Sequence, residues 1–234
     1  MSQPTVVIAG VGPGLGASVA RRFASEGCAV ALLARSGDYL DELADDLAGP
    51  AVAAPTDITD ADQVDQAFRY LRDELGAVDV LVNNASGGGW GGLRDLTVEA
   101  FESAWRNGPY GAFLCSKAAL PDMLEVKEGT IIFTGATSAV RGRADAMGFA
   151  SSKYAVRGMA SSMARELGPR GIHVAHAVID GQIRPTGRSV EDLERDPETY
   201  LDPDAIADAY WDLYTQDRSA WTLELDLRPH VEEF

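Results

Sequence analysis

Two kinds of segment alternate along this chain almost from end to end. Short, continuously apolar runs occupy residues 5–9, 29–34, 51–54, 78–82, 130–134 and 172–179. They are too short for buried helices. They also lack the two-residue alternation of a sheet with one wet face, so each reads as a strand buried on both sides. Between them, residues 18–26, 39–47, 61–75, 101–125, 148–167 and 203–214 carry apolar side chains at helical spacing, several ending at Gly or Gly-Pro. The 101–125 pattern is interrupted at Gly108-Pro109, and Pro must distort a helix there. Residues 220–227 read as a seventh strand. The alternation predicts an α/β fold: a single-domain, Rossmann-type, doubly wound parallel sheet with helices on both faces. Such sheets bind ligands beyond the carboxyl ends of their strands, where the winding reverses.

At 234 residues the chain is long enough for one large core, and we read 1–234 as one domain. Acids outnumber bases 36 to 20, a net charge of −16. That field repels phosphate backbones and anionic lipid, which argues against nucleic acid and membrane partners. Residues 188–234 alone carry 14 acids and four bases. Within them, residues 187–203 are polar, acidic and aperiodic, as expected of a surface loop placed as a lid. Cys28 and Cys115 lie in apolar stretches and read as buried thiols of a reducing compartment. Three His and two Cys in no ligand spacing predict no metal site. No basic leader and no 18-residue apolar run are seen, so a cytoplasmic location is expected.

The first run leads directly into Gly10-Val11-Gly12-Pro13-Gly14-Leu15-Gly16. Glycines here permit positive φ and let a pyrophosphate approach a helix N-terminus. Two registers are open. Gly12-x-Gly14-x-x-Ala17 fits the dinucleotide fingerprint, and Gly10-x-x-x-Gly14-x-Gly16 fits another. The strand ends at Ala9, so the turn begins at Gly10 and the second register is preferred.

That register resembles the short-chain dehydrogenase/reductase (SDR) family, and the resemblance extends over nearly the whole chain. Asp57-Ile58 follows the third strand, where the family holds adenine. Asn83-Asn84-Ala85-Ser86 follows the fourth, where the family usually reads N-N-A-G. The segment from Phe149 to Gly158 looks like the family's active-site helix. The resemblance implies cofactor contacts from Gly10, Gly12, Gly14, Leu15, Gly16, Arg35, Asp57, Ile58, Asn84, Ala85, Lys153, Gly181 and Ile183. NAD-binding members usually carry an acid at the position of Ala34. Arg35 instead suits a ribose 2′-phosphate, so NADP(H) is expected before NAD(H). Family members act on small carbonyl or hydroxyl compounds and pair their fourth and fifth helices. A homodimer or homotetramer is therefore implied, with Phe113, Leu114, Ala118, Ala119, Ala155, Met159 and Met163 on those helices.

The catalytic positions depart from the family. It uses a Tyr as proton donor, a Lys four residues later, a Ser and an Asn. Lys153 is present, but Phe149 stands at the Tyr position, Ala136 at the Ser position and Gly108 at the Asn position. Tyr154 is adjacent to Lys153 and faces elsewhere. Thr137 and Ser138 are the replacement hydroxyls beside Ala136, and Asn107 flanks Gly108. Asp180-Gly181 replaces the family's P-G. The reading is an NADP-preferring oxidoreductase with a non-standard proton relay through Lys153, Ser138 or Thr137. The competing reading is a catalytically silent NADP(H)-binding sensor or subunit. Trp90, in Gly87-Gly88-Gly89-Trp90-Gly91-Gly92, is expected to pack on an apolar substrate or to fill a gap.

Overall fold

The computed structural model describes residues 3–188 and 190–232. Seven parallel strands form one sheet in the order β3-β2-β1-β4-β5-β6-β9. They are β1 (Thr5–Ala9), β2 (Ala29–Ala34), β3 (Ala51–Pro55), β4 (Val80–Asn83), β5 (Gly129–Thr134), β6 (Ile172–Ile179) and β9 (Glu224–Leu227). The helices are α1 (Leu15–Ser25), α2 (Gly37–Asp46), α3 (Ala61–Leu75), α4 (Val98–Trp105), α5 (Gly111–Val126), α6 (Met147–Leu167) and α7 (Pro203–Tyr214).

Alternate residues of each strand serve different cores, which is why the runs are apolar throughout. Val6, Ile8, Val30, Leu32, Val80 and Val82 pack with Phe23 of α1, Leu40 of α2 and Tyr210 of α7. Val7, Leu33, Leu81, Ile131 and Phe133 face the other way, onto Phe68 of α3, Cys115 of α5 and Val156 of α6. The winding reverses between the adjacent strands β1 and β4, and Gly10 and Asn84 follow their carboxyl ends. Among the described residues no helix is long and apolar enough to cross a membrane.

Two local expectations are corrected and a third gains detail. The interruption at Gly108-Pro109 is a π-helical turn, Arg106–Tyr110, that carries α4 into α5 without a break. The wider turn accommodates Pro109, which has no N–H to donate. The loop 187–203, of which Ser189 lies outside the described residues, is partly ordered. It holds 3₁₀ turns at Val190–Asp192 and Pro197–Thr199, and its β8 (Tyr200–Leu201) pairs in parallel with β7 (Gln182–Ile183). Tyr200 and Leu201 are buried, and that apolar pair anchors the segment. The last strand begins at Glu224, because Arg218–Ala220 forms a 3₁₀ turn capped by Asp217.

Candidate active site

At the winding reversal lies a cavity of about 290 Å³, lined by Gly10, Gly12, Arg35, Asp57, Ile58, Asn84 and Ala85 among others. These seven were expected from the sequence. Ser36, Thr56, Ser86 and Asn107 also line it. The glycines divide into two kinds. Gly10 has φ +98, and a Cβ there would sit 2.3 Å from the Ala85 backbone nitrogen. A Cβ on Gly16 would come within 2.9 Å of the Val11 Cα. These two are required by the chain's own packing. Gly12 and Gly14 face open space, and α1, which begins at Leu15, has no side-chain cap on its first turn. A smooth concave rim beside uncapped N–H groups suits an anionic group. The Leu15 side chain is buried against the core.

Arg35 is exposed at the rim and makes no ion pair among the described residues. Asp57 is fixed by its own turn: its Oδ1 accepts from the Thr59 backbone at 2.9 Å. Asn84 donates from Nδ2 to the Gly10 carbonyl at 2.8 Å, and its Oδ1 accepts from the Thr134 hydroxyl at 3.1 Å. Thr134 in turn lies 2.8 Å from the Tyr210 hydroxyl. Since the Thr134 proton goes to Asn84, Tyr210 is the donor. Burial pushes the Tyr210 phenol far above its usual value. Sequence reasoning missed Tyr210, which reads there only as one apolar-face residue of a helix.

Lys153 is 4% exposed, and its Nζ donates to the Thr134 carbonyl at 2.8 Å. Burial lowers its pKa to about 8. Phe149 stands one helical turn earlier, with its ring centroid 5.7 Å from that Nζ. The Trp90 ring stacks on Phe149 at 4.7 Å. The glycine loop carrying Trp90 is pinned: Gly89 accepts from the Gly148 and Phe149 backbones at 3.1 and 3.3 Å, and Gly91 donates to Asp145 at 2.7 Å. Trp90 is nonetheless 63% exposed, so it does not fill an interior gap.

The two candidate hydroxyls differ. Thr137 donates to Asp180 at 2.6 Å, which commits its proton to a buried carboxylate that Arg141 and Arg228 also hold, at 3.2 and 3.4 Å. Ser138 is buried beside it in the same turn. Ala136 is extended at the entry to their 3₁₀ turn, Thr137–Ala139. Gly108 presses on α6: a Cβ there would lie 2.1 Å from the Ser152 hydroxyl, which itself bonds the Ala104 carbonyl. Asn107 lines the cavity but turns its amide back to Ser103. Gly181, φ +151, packs under Leu201 and Pro229, and Ile183 lies in β7; neither lines the cavity.

The pattern of the short chain dehydrogenase family matches residues 4–192. An "uncharacterized oxidoreductase" of Staphylococcus aureus is 27% identical over 233 residues, 98% of either chain. A short-chain dehydrogenase from Rhodopseudomonas palustris superposes with a TM-score of 0.83 at 33% identity, covering 97% of this chain and 99% of that one. An alcohol dehydrogenase from the archaeon Thermococcus sibiricus, solved with 5-hydroxy-NADP, superposes with a TM-score of 0.87 at 26% identity, covering 99% of both. With the glycine turn, the winding reversal and Lys153 in place, this chain belongs to the short chain dehydrogenase family.

Proposed function

We propose that the protein is an NADP(H)-preferring oxidoreductase acting on the carbonyl or hydroxyl group of a small molecule, without the phenolic acid usual in its family. One observation carries this reading. The cavity at the winding reversal gathers Gly10, Gly12, Arg35, Asp57, Ile58, Asn84 and Ala85, while Lys153 is held behind it by the Thr134 carbonyl. The open rim at Gly12 and Gly14, beside the uncapped start of α1, fits a pyrophosphate. The Thermococcus relative with a bound NADP analogue supports the same fit.

In this reading Gly14, Leu15 and Gly16 offer first-turn N–H groups, and Arg35 holds the 2′-phosphate. Asp57 and Ile58 border the adenine, and Asn84 and Ala85 the adjoining ribose. A bound nicotinamide cofactor supplies or receives the hydride. Lys153 binds ribose hydroxyls and orders the proton path. Ser138 holds the substrate oxygen in preference to Thr137, whose proton serves Asp180. Gly181 and Ile183 close the nicotinamide end, and residues 187–203 act as a lid hinged on Tyr200 and Leu201. The domain is the whole chain, and it works in the cytoplasm. Cys28 and Cys115, both free and buried, are consistent with that location.

Cofactor choice is tested by titration calorimetry on Arg35→Ala. NADPH binding is expected to weaken by about 1.5–3 kcal/mol, the worth of a hydrogen bond to a charged group, with NADH scarcely changed. Equal losses for both cofactors would remove Arg35 from the 2′-phosphate.

The protein is further proposed to be a homodimer or homotetramer. Phe101, Trp105, Phe113 and Tyr154, on α4, α5 and α6, are 38–48% exposed, which is unusual for so many large rings on neighbouring helices. Ala119 is fully buried and Leu114, Ala118, Met159 and Met163 are partly committed to the core, so the exposed rings carry the contact. Light scattering at micromolar concentration is expected to give twice or four times the monomer mass of 24.9 kDa; a monomer would contradict it.

A further inference from the structure

We infer that the preferred substrate is a planar, conjugated dicarbonyl compound of the quinone class, stacked on Trp90. The inference rests on the oxidoreductase reading above and narrows its substrate.

Two independent features lead to this class. The first is the aromatic wall. Trp90 lies with one side on Phe149, 4.7 Å between centroids and 23° between planes, yet is 63% exposed. The loop that presents it is built for the purpose. A Cβ on Gly89 would meet Ala104 and Gly148 at 2.9–3.1 Å, and one on Gly148 would meet Gly89 at 2.9 Å. The loop thus lies against the start of α6 at glycine-only distance. An indole stacked on Phe149, whose ring lies 5.7 Å from the Lys153 ammonium, and left open on its other side is a stacking platform for a flat ring.

The second feature is the missing acid. Hydride addition to an isolated ketone makes an alkoxide, whose conjugate acid has a pKa of about 16, near that of water. That oxyanion needs a proton donor in the transition state, a contribution on the order of 10²–10⁴ in rate. Phe149 has no proton, and Thr137 has given its own to Asp180. Hydride addition to the ring carbon β to a quinone carbonyl makes an enolate, which aromatises to the phenolate of the hydroquinone, whose conjugate acid has a pKa of about 10. Such an anion needs no donor in contact with it. The balance is complete with the proposed cofactor: quinone, NADPH and one proton from solvent give hydroquinone and NADP⁺. The two electrons and one hydrogen arrive as hydride on the ring carbon, the C=C π electrons move through the conjugated carbonyl onto its oxygen, and aromatisation releases one ring proton to solvent while the two oxygens take up two, a net uptake of one. The thiols do not compete as nucleophiles. Burial pushes Cys28 up to about 11 and Cys115 up to about 12.

The test compares 1,4-naphthoquinone with cyclohexanone as substrates for NADPH oxidation. For the wild-type protein kcat/KM is expected to favour the quinone by roughly 100-fold or more, the scale of the absent acid. Trp90→Ala is expected to lower the quinone-to-ketone ratio at least about tenfold, while Trp90→Phe keeps most of it. Phe149→Tyr is expected to raise the ketone rate far more than the quinone rate. A binding readout stands apart from turnover. With NADP⁺ present, 1,4-naphthoquinone is expected to quench Trp90 emission saturably, a component lost in both Trp90 variants. NADPH-dependent ketone reduction with no quinone preference, or quenching that is unchanged when Trp90 is replaced, would overturn this inference alone. Failure to bind NADPH at all would overturn the oxidoreductase reading and this inference with it.

Discussion

Placing Tyr at position 149 and Ser at position 136 is expected to raise NADPH-dependent ketone reduction by at least about tenfold, equivalent to roughly 1.4 kcal/mol of barrier. The geometry favours the restored pair. Phe149 and Lys153 lie one turn apart on α6, and the ammonium is 5.7 Å from the ring centroid. A phenol there would stand beside that charge, which favours its ionised form and brings it nearer the working pH. Ala136 is extended just before the buried turn that holds Thr137 and Ser138. A Ser at 136 adds a hydroxyl free of the commitment that Thr137 has to Asp180. Steady-state rates on a ketone panel check the outcome, with NADPH affinity and thermal unfolding as controls. A folded double variant that binds NADPH normally and gains no ketone activity would mean that the site is no longer shaped for the reaction.

Stability is expected to fall by about 3 kcal/mol as the pH drops from about 6.5 to about 4, through His176. This ring is fully buried on β6, and desolvation lowers its pKa from 6.5 to about 4. Glu224, 3.5 Å from Nδ1, pulls the other way, while Lys153 and Arg157 reinforce the shift. The sign follows from linkage. The unfolded chain takes up a proton near 6.5 and the folded one only near 4, so acid draws the protein towards the unfolded state. The stabilising contribution is whole above about 6.5 and gone below about 4. At roughly 1.36 kcal/mol per unit, a shift of about 2.5 units gives the stated magnitude. Denaturant melts at intervals between pH 4 and 7 measure it, with His176→Gln as the reference. The difference between the two proteins should grow by about 3 kcal/mol over that interval. A pH-independent difference would show that the ring is not the titrating group.

Much of this architecture was legible in the residues. β1, β2 and β6 and helices α3 and α7 have the bounds that apolar runs and helical spacing predict, because strands buried on both faces leave an unbroken signal. The glycine turn was legible too, since Gly10 and Gly16 answer to packing and Gly12 and Gly14 to open space. What escaped were features made by contact between distant segments. The pairing of β7 with β8 is two residues long and has no periodicity to read. The π-helical turn uses residues that predict a distortion of the helix but not its kind. Asp180 reads only as a replacement in the family's P-G pair, yet in the fold it gathers Thr137, Arg141 and Arg228. That gathering separates Thr137 from Ser138, which the sequence left equivalent. The hold of the Thr134 carbonyl on Lys153 also joins segments distant in the chain, and the sequence does not show it. Nor does it show the stacking of Trp90 on Phe149, because 59 residues separate them.

The most direct test of the account follows the hydride itself. The protein is incubated with NADPH deuterated at C4, on each face in turn, and a carbonyl substrate, and the product is examined by mass spectrometry. The account predicts one deuterium on the former carbonyl carbon of a ketone, delivered from one face of the nicotinamide only. Tight NADPH binding with no deuterium in any product, across ketones and quinones alike and with no oxidation of the cofactor, would contradict it.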